Sequence, residues 1–308
     1  MVRKLFLQMA KAQIAASVSA TACLLVDSFV IGRLLGAGAL SAYGLSTPAL
    51  TIYIAFGNML ICGVQVVFGK YMGQGDEKGM NGCFSASIGI ALILSAATVA
   101  TVFLAWQPIL RFLGAVPSTA RDSVFLMTRD YIWGYSCGII FFFLYEIMVP
   151  YLQMLGKRRL IFTSTLLMTV MNAAFDLISV LVFHWGLFGI GLATVVSYAA
   201  ALTIPLICSM KKEIPLRFSL KAMSWRMARR ICSGGGSMIV SDICFIISSY
   251  SINQILRNTS GNNAVAAYSV MSTVENLMFC TALGTGAVTL TLSSVFFPGM
   301  RTDPRSWK

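Results

Sequence analysis

Long apolar runs alternate with short polar joints along the whole chain. A span of the hydrocarbon layer needs about 20 predominantly apolar residues, and stretches of that length lie near residues 12–35, 40–69, 82–105, 124–154, 160–183, 187–209, 232–256 and 264–296. The pattern predicts an all-α, polytopic membrane protein with about eight transmembrane helices. The longest stretches must tilt, kink or project beyond the hydrocarbon. Pro48 and Pro150 lie inside two of them and are expected to kink their helices. Composition agrees: with 57% hydrophobic and 11% charged residues in 308, the polar surface is too small to cover a soluble globule.

Charge then orients the bundle. The 23 Lys and Arg against 11 Asp and Glu could suggest nucleic acid, but that footprint gathers basic residues on one soluble face, and here they sit in the joints. With the N-terminus inside, eighteen basic residues fall on the inner side, among them Lys70, Lys157, Arg158 and Arg159, and five fall outside. The positive-inside rule therefore places the N-terminus in the cytoplasm of a multi-pass protein. Trp106, Trp133 and Trp185 at outer boundaries and Trp225 at an inner one suit interfacial anchors. The eight cysteines contain no C-x-x-C pair and read as small buried apolar residues. The first apolar stretch is long, carries Asp27 and lacks a cleavage site, so it is expected to remain as helix 1.

The longest charged joint, 211–230, divides the chain into a six-helix lobe, 1–210, and two further helices within 231–308. The two parts carry a weak repeat. "ALSAYGLST" at 39–47 aligns with "AVAAYSVMS" at 264–272 under a shift of 225, and "FVIGRLL" at 29–35 resembles "YSINQIL" at 250–256 if the second copy has a loop four residues longer. Helices 7 and 8 thus read as a second copy of helices 1 and 2, related by an axis along the membrane normal. A six-helix repeat unit would leave this second lobe incomplete.

Five acids lie within spans: Asp27, Glu146, Asp176, Asp242 and Glu275. A charged group at the bilayer centre costs roughly 2.5–3.5 kcal/mol on insertion scales, so such residues usually face a cavity or a partner. No Lys or Arg stands mid-span to neutralise them. Counting from the outer ends of helices 1, 5 and 6, at about 1.5 Å per residue, places Asp27, Asp176 and Thr194 at a shared depth of roughly 10–12 Å. Asn172, four residues before Asp176, shares its helix face. One oxygen-rich cluster follows: two carboxylates, an amide and a hydroxyl. It suits a proton or a hard monovalent cation such as Na⁺, and two acids in one dry pocket do not both ionise cheaply. Glu146, Asp242 and Glu275 lie deeper and are candidates for a substrate cavity.

Here the residues reach a resemblance. "VDSFVIGRLLGAGALSAYGLSTP", "GKYMGQGDEKGMNGCFSASIG", "LQMLGKRRL" and "MNAAFDLISVLVFHWGLFGIGLATVVSYAAAL" resemble the multidrug and toxic compound extrusion (MATE) transporters, over about 290 residues. The N-x-x-x-D followed by a Thr 18 residues later is the most specific part. The resemblance implies twelve helices in two lobes, cation-driven antiport in the cell membrane, no cofactor beyond the coupling ion, and export of small organic, often cationic compounds. In the DinF-like branch the matching cation-site positions are Asp27, Asn172, Asp176 and Thr194. Gln153 stands where family members commonly carry a basic residue, so that loop is expected to pack differently. The resemblance also implies four further helices beyond Lys308.

Two other readings share these features: a lipid-linked oligosaccharide flippase of the same superfold, which should need a basic cavity, and an inactive fragment. An enzyme is not expected. "GQGD" at 73–76 matches an intramembrane protease motif, but Asp76 sits in a charged loop without a second carboxylate to complete the pair. "SGGGS" at 233–237 lacks the Lys of a phosphate loop and reads as a bend or close helix contact. His184 falls at an outer joint, and "FFFLY" at 141–145 either faces lipid or lines an aromatic cavity, with lipid the expected side.

Overall fold

The computed structural model describes residues 23–115, 123–210, 216–219 and 223–302, with six isolated positions between 7 and 21. Helix α1 (residues 23–35) ends in a π-helical turn, Ile31–Leu35. There follow α2 (Ala37–Gly73), α3 (Glu77–Leu104), the short α4 (Trp106–Phe112), α5 (Ser123–Cys137), α6 (Ile139–Met154), α7 (Arg158–Leu181) and α8 (Gly186–Met210). The last stretch, Trp225–Thr302, breaks at Gly261 into α9 (Trp225–Gly261) and α10 (262–302). Much of the basic joint, including Lys211, Lys212 and Lys221, lies outside the described residues, so the proposed linker is not described there.

Each predicted span has a helix among the described residues, where five helices, or six counting a bent pair as one span, are long and apolar enough to cross a membrane; four details differ. The 124–154 stretch is two helices meeting at about 55°, and the bend falls at Gly138 rather than Pro150. A Cβ at Gly138 would lie 2.6 Å from Val195 Cγ2, so α8 presses on the bare backbone there. Helices α2 and α6 run unbroken through Pro48 and Pro150. Where a plain polar joint was expected, α4 folds under α5, with the Arg129 guanidinium 4.9 Å from the Trp133 ring and 5.8 Å from Trp106. Hydropathy cannot register so short an element, because its seven residues fall below the averaging length of a span. Finally, "FFFLY" does not face lipid as a block: Phe142, Phe143 and Tyr145 are buried, and Phe141 is 39% exposed. Successive residues on a helix are about 100° apart, so five in a row cannot share one face.

The turn at "GQGD" has a structural explanation. Gly75 takes φ 68°, and the Asp76 carboxylate caps α3 by accepting the Gly79 N–H at 2.9 Å. That spends the acid on an orphan helix donor.

The repeat is visible in the backbone. Gly36, between α1 and α2, has φ 87° and ψ 177°; Gly261, between α9 and α10, has φ 75° and ψ −168°. The two glycines are 225 residues apart, the shift that aligns helices 2 and 8. Both occupy a region open essentially to glycine alone. Contacts obey the same symmetry. A Cβ at Gly44 would sit 3.2 Å from Ser269 Cβ, and one at Gly69 would sit 2.8 Å from Ser294 Cβ; each pair is again 225 apart. Helices α2 and α10 are therefore parallel neighbours along the two-fold axis. The flanking helices follow: a Cβ at Gly235 would run into the Met59 carbonyl, and its symmetry mate, a Cβ at Gly284, would meet Ile14 Cγ1 at 2.8 Å. Shifts of 225 for Met59 to Gly284 and 221 for Ile14 to Gly235 differ by four residues, about one helical turn, so the packing face is preserved.

Within "SGGGS", Gly235 abuts the α2 backbone while Gly236 has nothing within 4 Å. Gly235→Ala is expected to destabilise the detergent-solubilised protein by about 1–3 kcal/mol through overpacking. Gly236→Ala should leave stability unchanged or raise it, since alanine is the better helix former. Thermal unfolding of the two variants beside the parent measures the difference.

Candidate functional site

The predicted cluster assembles from α1, α7 and α8. Asp27, Asn172 and Asp176 have no exposed surface, and Thr194 retains 8%. Asp27 lies within interaction range of Asp176, Asn172 and Thr194. Asn172 and Asp176 share one face of α7 by their four-residue spacing, and Thr194 lies on α8, which packs along α7.

Donor and acceptor roles follow from the local bonds. The Thr194 hydroxyl donates to the Ile190 carbonyl at 3.1 Å, leaving only acceptor capacity toward the cluster. The Ser197 hydroxyl likewise donates back to Thr194 O at 2.6 Å. Both oxygens of Asp27, both of Asp176, and the amide oxygen and nitrogen of Asn172 have no hydrogen-bond partner. Buried polar groups are nearly always satisfied, and each exception in a folded protein calls for an explanation. The set is dominated by acceptors, which suits something that brings positive charge. Among the described residues no three of His, Cys, Asp and Glu gather as metal ligands, so the carboxylate charge is limited to a pair.

Asp27, Asn172 and Thr194 line a cavity of about 210 Å³ between α1, α2, α5, α6, α7 and α8. Its walls include Phe142, from the "FFFLY" segment, and Cys23, Tyr131, Tyr135, Ser197 and Tyr198, which the sequence did not single out. A signal was present for two of them: Cys23 and Ser197 lie four residues before Asp27 and three after Thr194, on the same helix faces. The α5 tyrosines had none. They enter through the bend at Gly138 and through the close seat of α8, where Cβ atoms at Gly134 and Gly191 would strike the backbone of the opposite helix.

The remaining acids part company. Glu146 lines the same cavity. Asp242, on α9, accepts a hydrogen bond from Asn58 Nδ2 at 3.2 Å, and it is Asn58 that borders the cavity. Glu275 is exposed and lies away from it. Gln153 is buried with both side-chain polar atoms unpartnered, in place of a basic residue. His184 takes a positive φ of 53° at the α7–α8 turn, with Nδ1 3.1 Å from Val180 O.

A model of the MatE family matches residues 13–178, more than half of the chain. The chain belongs to the MatE family. The MatE chain is 23% identical over 264 residues to the Bacillus subtilis protein named "Probable multidrug resistance protein YpnP" and 24% identical over 281 residues to "Probable multidrug resistance protein YoeA" of the same organism. Each match covers 85% of this chain and 57% of the relative, so the chain spans little more than half their length. Among solved structures, an outward-facing multidrug resistance MATE transporter of the MOP superfamily superposes with TM-score 0.83 at 19% identity, covering 96% of this chain and 65% of the other. A Pyrococcus furiosus MOP transporter, described as having a binding pocket of reverse polarity, gives the same values. These likenesses show the fold, and the family is one of transporters, not enzymes.

If the unpartnered groups serve a ligand rather than the fold, removing their polarity should not weaken the fold. Asn172→Leu, close in volume, is expected to leave the melting temperature of the purified chain unchanged or to raise it. Tyr151→Phe, which deletes a hydroxyl bonded to Ser87 at 3.0 Å, should lower stability by about 1 kcal/mol. Thermal unfolding of both variants under identical conditions makes the comparison.

Proposed function

We propose that this MatE chain is part of a secondary antiporter that exports organic, often cationic compounds in exchange for H⁺ or Na⁺, with the coupling ion held by Asp27, Asn172, Asp176 and Thr194. One observation carries this reading: two carboxylates and an amide, fully buried and without hydrogen-bond partners, are brought together from α1 and α7, with Asp27 and Asn172 on the wall of one cavity. Acceptors left unsatisfied in an apolar bundle are most simply explained by a cation that arrives and leaves. Na⁺ takes carboxylate, amide and hydroxyl oxygens, and a proton binds between two carboxylates.

Occupation of the cluster removes the repulsion between Asp27 and Asp176 and so favours closer packing of α1 against α7 and α8. The π-helical turn begins four residues after Asp27. Such a turn is a usual place for a helix to change its winding. An inward-moving charge supplies about 2.3 kcal/mol per 100 mV, equivalent to a concentration ratio of about fifty. The cell membrane with the N-terminus in the cytoplasm remains the orientation that the basic joints favour. No Lys or Arg lines the cavity, which argues against an anionic pyrophosphate lipid as cargo.

A ligand that binds only the folded state at a hundred times its Kd stabilises by about 2.7 kcal/mol. The purified chain should therefore melt several degrees higher when Na⁺ replaces K⁺ at constant ionic strength if Na⁺ is the coupling ion. If the ion is a proton, it should do so on acidification instead. Asp27→Asn and Asp176→Asn should each abolish the response. A melting temperature indifferent to both ions in the parent, or an equal response in parent and variants, would overturn the assignment.

A further inference from the structure

The coupling cluster accounts for Asp27 and Asp176, but not for the other carboxylate on the cavity. Glu146 projects from α6 at the level of Gly57, where a Cβ would lie 3.1 Å from Phe142 Cζ and 3.7 Å from Glu146 Cγ. Glu146 and Phe142 are one helical turn apart and present one face of α6 to the cavity. No hydrogen bond or ion pair to Glu146 occurs among the described residues, and Tyr135, Phe142 and Tyr198 line the same cavity. The rings around it are mutually packed, Phe142 to Tyr198 at 5.2 Å and Tyr135 to Phe142 at 6.2 Å between centroids.

A free carboxylate framed by aromatic rings is a recognisable chemical environment. Ring faces attract cations through their quadrupole, and they favour quaternary or delocalised cations, which shed water easily. A small inorganic ion has no use for the rings, and a neutral guest has no use for the acid. We infer that Glu146 is the counter-charge for a compact organic monocation, seated against Phe142, Tyr135 and Tyr198 and separate from the coupling ion. This rests on the reading that the cavity serves transport, and it narrows that reading in two ways. The cargo carries one positive charge at this end, and cargo and coupling ion have different carboxylates. Their competition then acts through the shared cavity and its helices rather than through exchange on one group.

Phenyltrimethylammonium, small enough for about 210 Å³ and permanently charged, serves as the probe. Calorimetric titration into the purified chain should give a Kd on the order of 1 mM, the range for a ligand of this size. Glu146→Gln is expected to weaken binding about tenfold or more, and Glu146→Asp, which keeps the charge, to restore most of it. Glu275→Gln removes an intramembrane acid away from the cavity and should bind like the parent. Equal binding by the parent and Glu146→Gln, equal loss in Glu275→Gln, or no binding to the parent by about 10 mM would overturn the inference. Should Glu146→Asp fail to rescue, the role is shape rather than charge, which overturns it as well. Melting of the parent with Na⁺ or acid separates the two readings. A chain that binds the probe through Glu146 but ignores both ions sinks the antiport assignment alone, and the converse result sinks only this one.

Discussion

The close approach of α2 to α9 and α10 fixes the distance on which the rest of the molecule depends. Helix association in a membrane has no hydrophobic drive between helices and relies on packing, so bare backbone is the means by which two helices come near. Gly44, Gly63 and Gly69 on α2 and Gly235 on α9 supply it. With that spacing set, the opposite side of α2 receives α5 and α6. Gly57 then meets Phe142 and Glu146, and Asn58 reaches across to Asp242. A wider seam would pull one wall of the cavity away from the others.

The site draws against this packing. Buried polar atoms without partners each cost on the order of 1–3 kcal/mol, and Asp27, Asn172 and Asp176 hold six of them. Around them the bundle is conservative. Serine and threonine hydroxyls return to the backbone of the preceding turn, as at Ser28, Ser46 and Thr128. Tyrosines interlock through their rings, Tyr43 on Tyr131 and Tyr53 on Tyr135. Among the described residues, most of the buried polar atoms left without partners are gathered at this one place, with Ser41, Trp133 and Gln153 the exceptions.

Which features the sequence exposed depended on their physical range. Hydropathy averaged over a span located the helices, because a membrane imposes length. Depth counting found Asp27, Asn172, Asp176 and Thr194, because a straight helix converts residue number into distance. Features set by contact between distant residues stayed hidden. The bend at Gly138 depends on Val195, and the tyrosine wall depends on that bend. Glu275 looked equivalent to Glu146 by hydropathy, yet one is exposed and the other borders the cavity. The repeat was faint in side chains, where only a few alanines and a tyrosine align. In backbone it is plain, since Gly36 and Gly261 share a conformation that other residues seldom take.

Those two glycines also bear on direction. Because α2 and α10 run parallel, the two-fold axis lies along the helices, and both copies present the same end to the same side of the membrane. A voltage therefore acts on the two backbones alike and cannot tell them apart. What distinguishes the two copies must therefore lie where they disagree in chemistry. The 221-residue shift sets Asp27 against Ser248, whose hydroxyl is spent on the Cys244 carbonyl. The same shift sets Asp242 against Thr21, so each copy carries a carboxylate where the other has a hydroxyl, and the two halves of an even frame hold their acids at different levels.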